Sequence, residues 1–79
     1  MKFTYDPRYN IAYILFREKG EKVRTVQVSD ELNIDLAPDG TIYGIELLNA
    51  NEQLQREEGM GRLLVINEAT GTEAEVPLP

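Results

Sequence analysis

Two runs of alternating apolar and polar residues flank the tetrapeptide Ala37-Pro38-Asp39-Gly40. Pro suits the second position of a type I turn, Asp suits the third, and Gly takes the positive φ that follows. Alternation of this kind is typical of a strand with one buried face. Leu32–Leu36 and Thr41–Leu48 are therefore predicted to form an antiparallel hairpin, so the chain must contain an antiparallel sheet.

The register of this hairpin has two alternatives, because Leu36 can face either Thr41 or Ile42. The second alternative sets Leu32 opposite Glu46, which is a poor cross-strand pair. We therefore expect Leu36 to face Thr41.

The rest of the chain carries similar strand signals, one short helix signal and a C-terminal hairpin signal. Further strands are predicted around Phe3 and Tyr5, over Ile11–Phe16 and Val23–Val28, and over Arg62–Asn67 and Ala74–Leu78. Asn49 has the form of a helix N-cap, and Gly59 is favoured just past a helix C-terminus, so the helix should run to about Glu58. Ile11–Phe16 is apolar on both alternating faces, which is typical of a strand inside a sheet.

These signals predict an α+β, β-rich fold in a single domain of 79 residues. Residues 1–58 should form an antiparallel β-meander of about five strands followed by one short helix. Residues 59–79 should form a C-terminal extension, which we expect to be a β-hairpin.

The absence of two residue types removes much catalytic chemistry. The chain has no Cys and no His. It therefore lacks a thiolate nucleophile, an imidazole base and the ligands of ordinary zinc sites. We expect neither an enzyme nor a cofactor.

The charge of the chain indicates which partners to expect. The 14 acidic residues outnumber the 8 basic ones, giving a net charge of −6. Nucleic acids and anionic membranes attract cationic surfaces, so neither is an expected partner, whereas a basic protein is allowed. Met1 leads straight into a strand pattern, and Ile11–Phe16 is too short to span a bilayer, so we expect a cytoplasmic protein.

One polar cluster is the candidate site. In the preferred register Asn33 and Asp35 share a face with Glu46. Two carboxylates at the right spacing can perform hydrolytic acid–base work or hold a divalent metal. A small hydrolase or metal-dependent enzyme is therefore the alternative hypothesis, although a solvated polar face of a half-exposed sheet explains the same residues more simply.

The apolar residues indicate a different role. The predicted helix carries one large apolar residue, Leu54, which is too little to cover the apolar sheet. A second layer must come from the C-terminal hairpin or from another chain, because an uncovered apolar face aggregates. The candidate interaction surface comprises Tyr9, Tyr43, Ile45 and Leu47. We expect a homo-oligomer, and specifically a dimer.

Two segments carry a resemblance to a known family. Asp6–Ile14 resembles the opening motif YDPxxDxxYI of a family of very small bacterial proteins catalogued as domain of unknown function 2283, and Asn33–Ala50 is similar to its second motif, DxDxxGxxxGIEIxxA. The resemblance covers about residues 1–54 and implies a β-meander followed by a helix, with no established activity. Asn10 stands where the first motif usually has Asp.

The preferred interpretation is a non-catalytic protein-interaction module that forms a homo-oligomer. Some relatives look like partners of small toxin-like proteins, so the resemblance allows an antitoxin-like role with a basic partner.

Overall fold

The computed structural model describes residues 1–17, 22–54 and 61–79. Their elements, in chain order, are β1 (Lys2–Asp6), β2 (Ile11–Leu15), β3 (Arg24–Ser29), β4 (Leu32–Leu36), β5 (Ile42–Leu48), α1 (Ala50–Gln53), β6 (Arg62–Asn67) and β7 (Thr72–Pro77). The helix in this part of the chain is too short to cross a membrane.

The strands form two antiparallel sheets. Five of them form one sheet in the order β1-β2-β5-β4-β3, and β6 and β7 pair with each other. The predicted β-rich class with a short helix and a C-terminal hairpin is confirmed.

The strand order departs from a simple meander at one connection. After β2, the chain crosses to β3 at the far edge of the sheet and returns through β4 to β5, which pairs with β2. This arrangement follows the residue pattern. The apolar strand β2 has a neighbour on each side, whereas β3, whose side chains are mostly exposed, lies at an edge.

The β4–β5 turn corrects the predicted register. The Ala37 N–H donates to the Thr41 carbonyl at 2.8 Å, and the Gly40 N–H donates to the Ala37 carbonyl at 2.9 Å. Gly40 has a φ of 86°, as the sequence predicted for the end of this turn. These bonds make a tighter loop than expected, so Leu36 faces Ile42 and the predicted pairing with Thr41 is wrong.

A β-bulge follows this turn. After the Leu36–Ile42 pair, Tyr43 has no partner in β4, and the ladder resumes with Asp35 opposite Gly44. The predicted register set Asp35 opposite Ile42, two positions away. Because side chains alternate with a period of two, a shift by two leaves each of them on its predicted face. The expected grouping of polar residues therefore survives a wrong register.

Helix α1 begins differently from the prediction. Asn49 precedes it in a left-handed conformation with a φ of 50° and makes no side-chain cap bond. The predicted end at Glu58 and Gly59 lies outside the described residues.

Asn10, in the β1–β2 turn, caps α1 instead. Its carbonyl accepts the Ala50 N–H and its Oδ1 accepts the Asn51 N–H, both at 2.9 Å. Its Nδ2 donates to Asn49 Oδ1 at 3.1 Å. Asn10 has a φ of 56°, a conformation that Asn tolerates better than most residues. A residue 41 positions before Asn51 in the sequence thus satisfies the first N–H groups of the helix.

The five-stranded sheet lacks a closed core in the described part of the chain. Only small residues are buried, namely Ala12, Ala37, Gly44 and Ala50. The register places eight large apolar side chains of the sheet together on one side, here called the apolar face: Phe3, Tyr5, Ile14, Val26, Leu32, Ile34, Ile45 and Leu47. All of them are half-buried, so the described part of the chain covers this face only in part.

Substitutions at Asn10 test its role as the cap of α1. Asn10→Ala should lower the free energy of unfolding by about 1–2 kcal/mol, because it removes an N-terminal acceptor. Asn10→Asp should cost less, since a carboxylate still accepts the Asn51 N–H and favours a helix N-terminus. Urea denaturation measures both, and equal losses for Ala and Asp would contradict the assignment.

Candidate functional site

A hydrogen-bonded row of polar side chains crosses the face opposite the apolar face. Tyr13 on β2 donates its hydroxyl to Asp35 Oδ2 at 2.6 Å. Thr25 on β3 donates its hydroxyl to Asp35 Oδ1 at 2.6 Å. We call these three residues the Asp35 network. Because Asp35 lies on β4, the network joins β4 to its neighbour β3 and, across β5, to β2.

Gly44 makes this network possible. Strand β5 lies between β2 and β4, so the Tyr13 side chain must pass over β5 to reach Asp35. A Cβ atom built on Gly44 would lie 2.5 Å from Cζ of the Tyr13 ring, closer than such contacts allow. A glycine inside a strand often marks such a close approach. The absence of a side chain at position 44 is therefore a condition for the tyrosine to lie flat across the sheet.

The surroundings of Tyr13 keep its hydroxyl protonated. Burial raises its pKa well above the ordinary value of 10.0, and the hydrogen bond to Asp35 adds to the effect. The negative charges of Asp35 and Glu46 act in the same direction. A neutral phenol is the form that can donate to a carboxylate, so the Tyr13–Asp35 bond persists across the physiological pH range.

The predicted polar cluster lies on this same face, but it divides into two groups. Asn33 and Glu46 are directly opposite each other, and Asn33 Nδ2 donates to Glu46 Oε1 at 3.0 Å. Asp35 is bonded to Tyr13 and Thr25 instead. The sequence analysis did not place Tyr13 or Thr25 beside this cluster. Gly44, a lone glycine in an apolar strand, was the signal that a large side chain crosses there.

The chemistry open to this cluster is limited by these bonds. Both oxygens of Asp35 already accept hydrogen bonds, and Glu46 accepts one from Asn33. The described residues contain no group of three or more acidic side chains placed to hold a metal ion. A cleft of about 420 Å³ lies elsewhere, between the start of β3 and the β4–β5 turn. The arrangement is suited to holding strands together.

The predicted interaction surface is only partly brought together. Ile45 and Leu47 are half-buried on the apolar face, and Tyr43 is the extra residue of the β-bulge. Tyr9 lies in the β1–β2 turn with 70% of its surface exposed, and the Arg8 guanidinium lies 5.7 Å from the centre of its ring.

The C-terminal hairpin exposes apolar side chains that the predicted surface did not include. Leu63 and Val65 lie on one side of it, and Leu64 and Ile66 lie on the other. Their exposed fractions are between 48% and 52%. Val76 on β7 is 44% exposed, opposite Leu63. The sequence predicted these strands but did not indicate that both sides would remain open.

A double-mutant cycle tests the close approach at Gly44. Gly44→Ala should lower the free energy of unfolding by about 1–3 kcal/mol, because the new methyl group overlaps the Tyr13 ring. In a Tyr13→Ala background the same substitution should cost little, since alanine suits a strand better than glycine does. Urea denaturation of the four proteins gives the coupling energy. An equal cost in both backgrounds would show that the ring does not set the requirement for glycine.

Comparison with known proteins gives one match. The family model described as Protein of unknown function (DUF2283) matches residues 2–51. No curated protein and no solved structure matches the chain. The matched region contains strands β1–β5, the start of α1 and the Asp35 network, whereas the β6–β7 hairpin lies beyond it. Since the match covers more than half of the 79 residues, the chain belongs to the DUF2283 family.

Proposed function

We propose that this chain is a non-catalytic protein-interaction module that works as a homodimer. The observation that carries the proposal is the β6–β7 hairpin, whose large apolar residues are about half exposed on both sides. A two-stranded hairpin is marginally stable in water unless another layer covers it. Leu63, Val65 and Val76 adjoin on one side of the hairpin, and Leu64 and Ile66 adjoin on the other, so each side carries a continuous apolar patch. A continuous surface of this kind marks an interaction site.

The five-stranded sheet supports the same proposal. Its apolar face carries large side chains that stay half-buried, and its buried residues are small. Small domains that lack a sufficient core commonly gain stability from disulfides, a metal or another subunit. This chain has no Cys and no His, so association is the remaining source.

The non-catalytic part of the proposal rests on the polar cluster. A hydrolase would need one carboxylate free to act as a base or nucleophile and another poised as an acid. Asp35 and Glu46 instead accept bonds from neighbouring strands, and a hydrogen-bonded role in the sheet explains both of them. The alternative of a small hydrolase or metal-dependent enzyme has less support.

The charge of the chain adds a second class of partner to the proposal. A net charge of −6 favours association with a basic protein and disfavours nucleic acid. An antitoxin-like protein that binds a basic toxin is one form of such a module. In that form, the acidic chain supplies the electrostatic attraction and the apolar hairpin supplies the buried contact.

Light scattering coupled to size-exclusion chromatography tests the homodimer. The full chain at micromolar concentration should show about twice the monomer mass of 9.0 kDa. The variant Leu64→Thr/Ile66→Thr keeps side chains that favour strands and removes apolar surface from one side of the hairpin. Its dissociation constant should rise at least about tenfold, because each large apolar side chain contributes roughly 1.5–3 kcal/mol when fully buried.

Phe16→Ser is the matched control, since it removes an exposed aromatic ring outside the hairpin and should leave the mass unchanged. A wild-type chain that stays at 9.0 kDa at every micromolar concentration would overturn the homodimer.

A further inference from the structure

The start of strand β3 offers an open edge with two positive charges. It is the last strand of the five-stranded sheet, so no other strand of the described chain bonds to its outer side. Lys22 precedes it and Arg24 begins it, and both side chains are exposed. Neither makes an ion pair with any residue that the structure describes. In a chain with a net charge of −6, the start of this edge is a local cationic site, and the exposed Asp30 follows the far end of the strand.

Strand β7 offers an open edge whose charges are all negative. Its only charged residues are Glu73 and Glu75, both exposed. The Leu78 N–H donates to the Gly61 carbonyl at 2.8 Å, on the side of the strand that faces β6. Because the hydrogen-bonding direction alternates along an antiparallel strand, the peptide groups of Glu73 and Glu75 point to the open side. Their N–H and C=O groups are therefore placed to extend the sheet.

The two edges match in charge and in spacing. Lys22 and Arg24 are two residues apart, as are Glu73 and Glu75, so each pair projects from one face of its strand. A parallel pairing with Glu73 opposite Lys22 and Glu75 opposite Arg24 sets both acids opposite both bases, and opposite charges in facing positions stabilise a strand pair. The direction follows from the peptide groups, because Ala37 bonds to β5, so its neighbour Leu36 and the facing Arg24 bond to each other inside the sheet. A residue that bonds inward lies opposite one that bonds outward, such as Glu75, only when the two strands are parallel. Glu75 already pairs with Arg62 at 2.8 Å, but both side chains are more than half exposed and remain accessible.

We propose that β7 of one copy adds to the β3 edge of a second copy, and that the second copy returns the same contact. This inference rests on the proposed homodimer and specifies its interface. Each sheet then grows from five strands to seven, in the order β1-β2-β5-β4-β3 followed by β7 and β6 of the other copy. The contact is a reciprocal one, as a twofold dimer requires.

The apolar surroundings of the β3 edge suit this contact. The cleft of about 420 Å³ beside Lys22 and Arg24 is walled by Val23, Leu36 and Pro38. The added hairpin places its apolar side chains next to these walls and prolongs both faces of the sheet. An unpaired edge close to an apolar cleft is also a site of uncontrolled aggregation, which a specific strand addition prevents.

The other edge of the sheet is a poorer acceptor for β7. Strand β1 carries Lys2 at one end and Asp6 at the other, so its charges do not favour an acidic strand along its length. Asp6 is also engaged locally, since the Arg8 guanidinium donates to both of its carboxylate oxygens. The charges at the two edges therefore favour β3 over β1 as the strand to which β7 adds.

Charge reversal on the full chain tests the interface. Lys22→Glu/Arg24→Glu makes both edges acidic, and Glu73→Lys/Glu75→Lys makes both edges basic. Each variant alone should dimerise at least about tenfold more weakly than the wild type, because facing like charges repel. An equimolar mixture of the two should form heterodimers, since each acidic edge then meets a basic one. Light scattering and sedimentation measure these masses.

Lys2→Glu is the matched control, because it reverses a charge on the opposite edge and should leave the dimer intact. If the wild type dimerises and the β3 or β7 variants dimerise equally well, this interface is wrong while the homodimer stands. If the variants dissociate and their mixture stays monomeric, the interface is likewise overturned. A monomeric wild type removes both the interface and the proposed homodimer.

Discussion

The structure depends on a constraint that small antiparallel sheets share, which is that an apolar face needs a second layer. In this chain the described helix has four residues, from Ala50 to Gln53, and it covers little of the sheet. The large apolar side chains of the sheet consequently remain half-buried, and among the residues that the structure describes only Ala12, Ala37, Ala50 and Gly44 are buried. Local hydrogen bonds hold such a sheet in shape, but they do not replace the missing apolar burial. The open surfaces therefore follow from the size of the chain.

Polar contacts across the sheet take over part of the stabilising role of a core. The Tyr13 ring passes over Gly44, and its hydroxyl reaches Asp35, which also accepts from Thr25. At the end of the sheet, Asn10 satisfies the first N–H groups of α1. Both features lie within the region that matches the DUF2283 family. Asp35, one of the two carboxylates of the predicted polar cluster, is the acceptor in the first of these contacts.

The sequence predicted the elements better than their arrangement. Strands β4 and β6 have their predicted bounds, because alternation and turn residues are local signals. The register of the β4–β5 hairpin was wrong because a bulge at Tyr43 cannot be read from alternation. The prediction that Asn33, Asp35 and Glu46 share a face was nevertheless correct, because a register shift of two residues leaves each side chain on the same face of the sheet. The cap by Asn10 and the partner of Asp35 were missed because both depend on contacts between residues far apart in the chain.

The central claim is that the apolar hairpin is covered by a second copy of the chain. Residue-resolved amide hydrogen exchange at concentrations above and below the dimer dissociation constant tests it most directly. The account predicts that the outward amides of Glu73 and Glu75 exchange more slowly in the dimer, because they gain hydrogen-bond acceptors on the partner. Amides of β2 and β5, which are already paired on both sides, should change little. Exchange of the Glu73 and Glu75 amides at one rate across all concentrations would contradict the account.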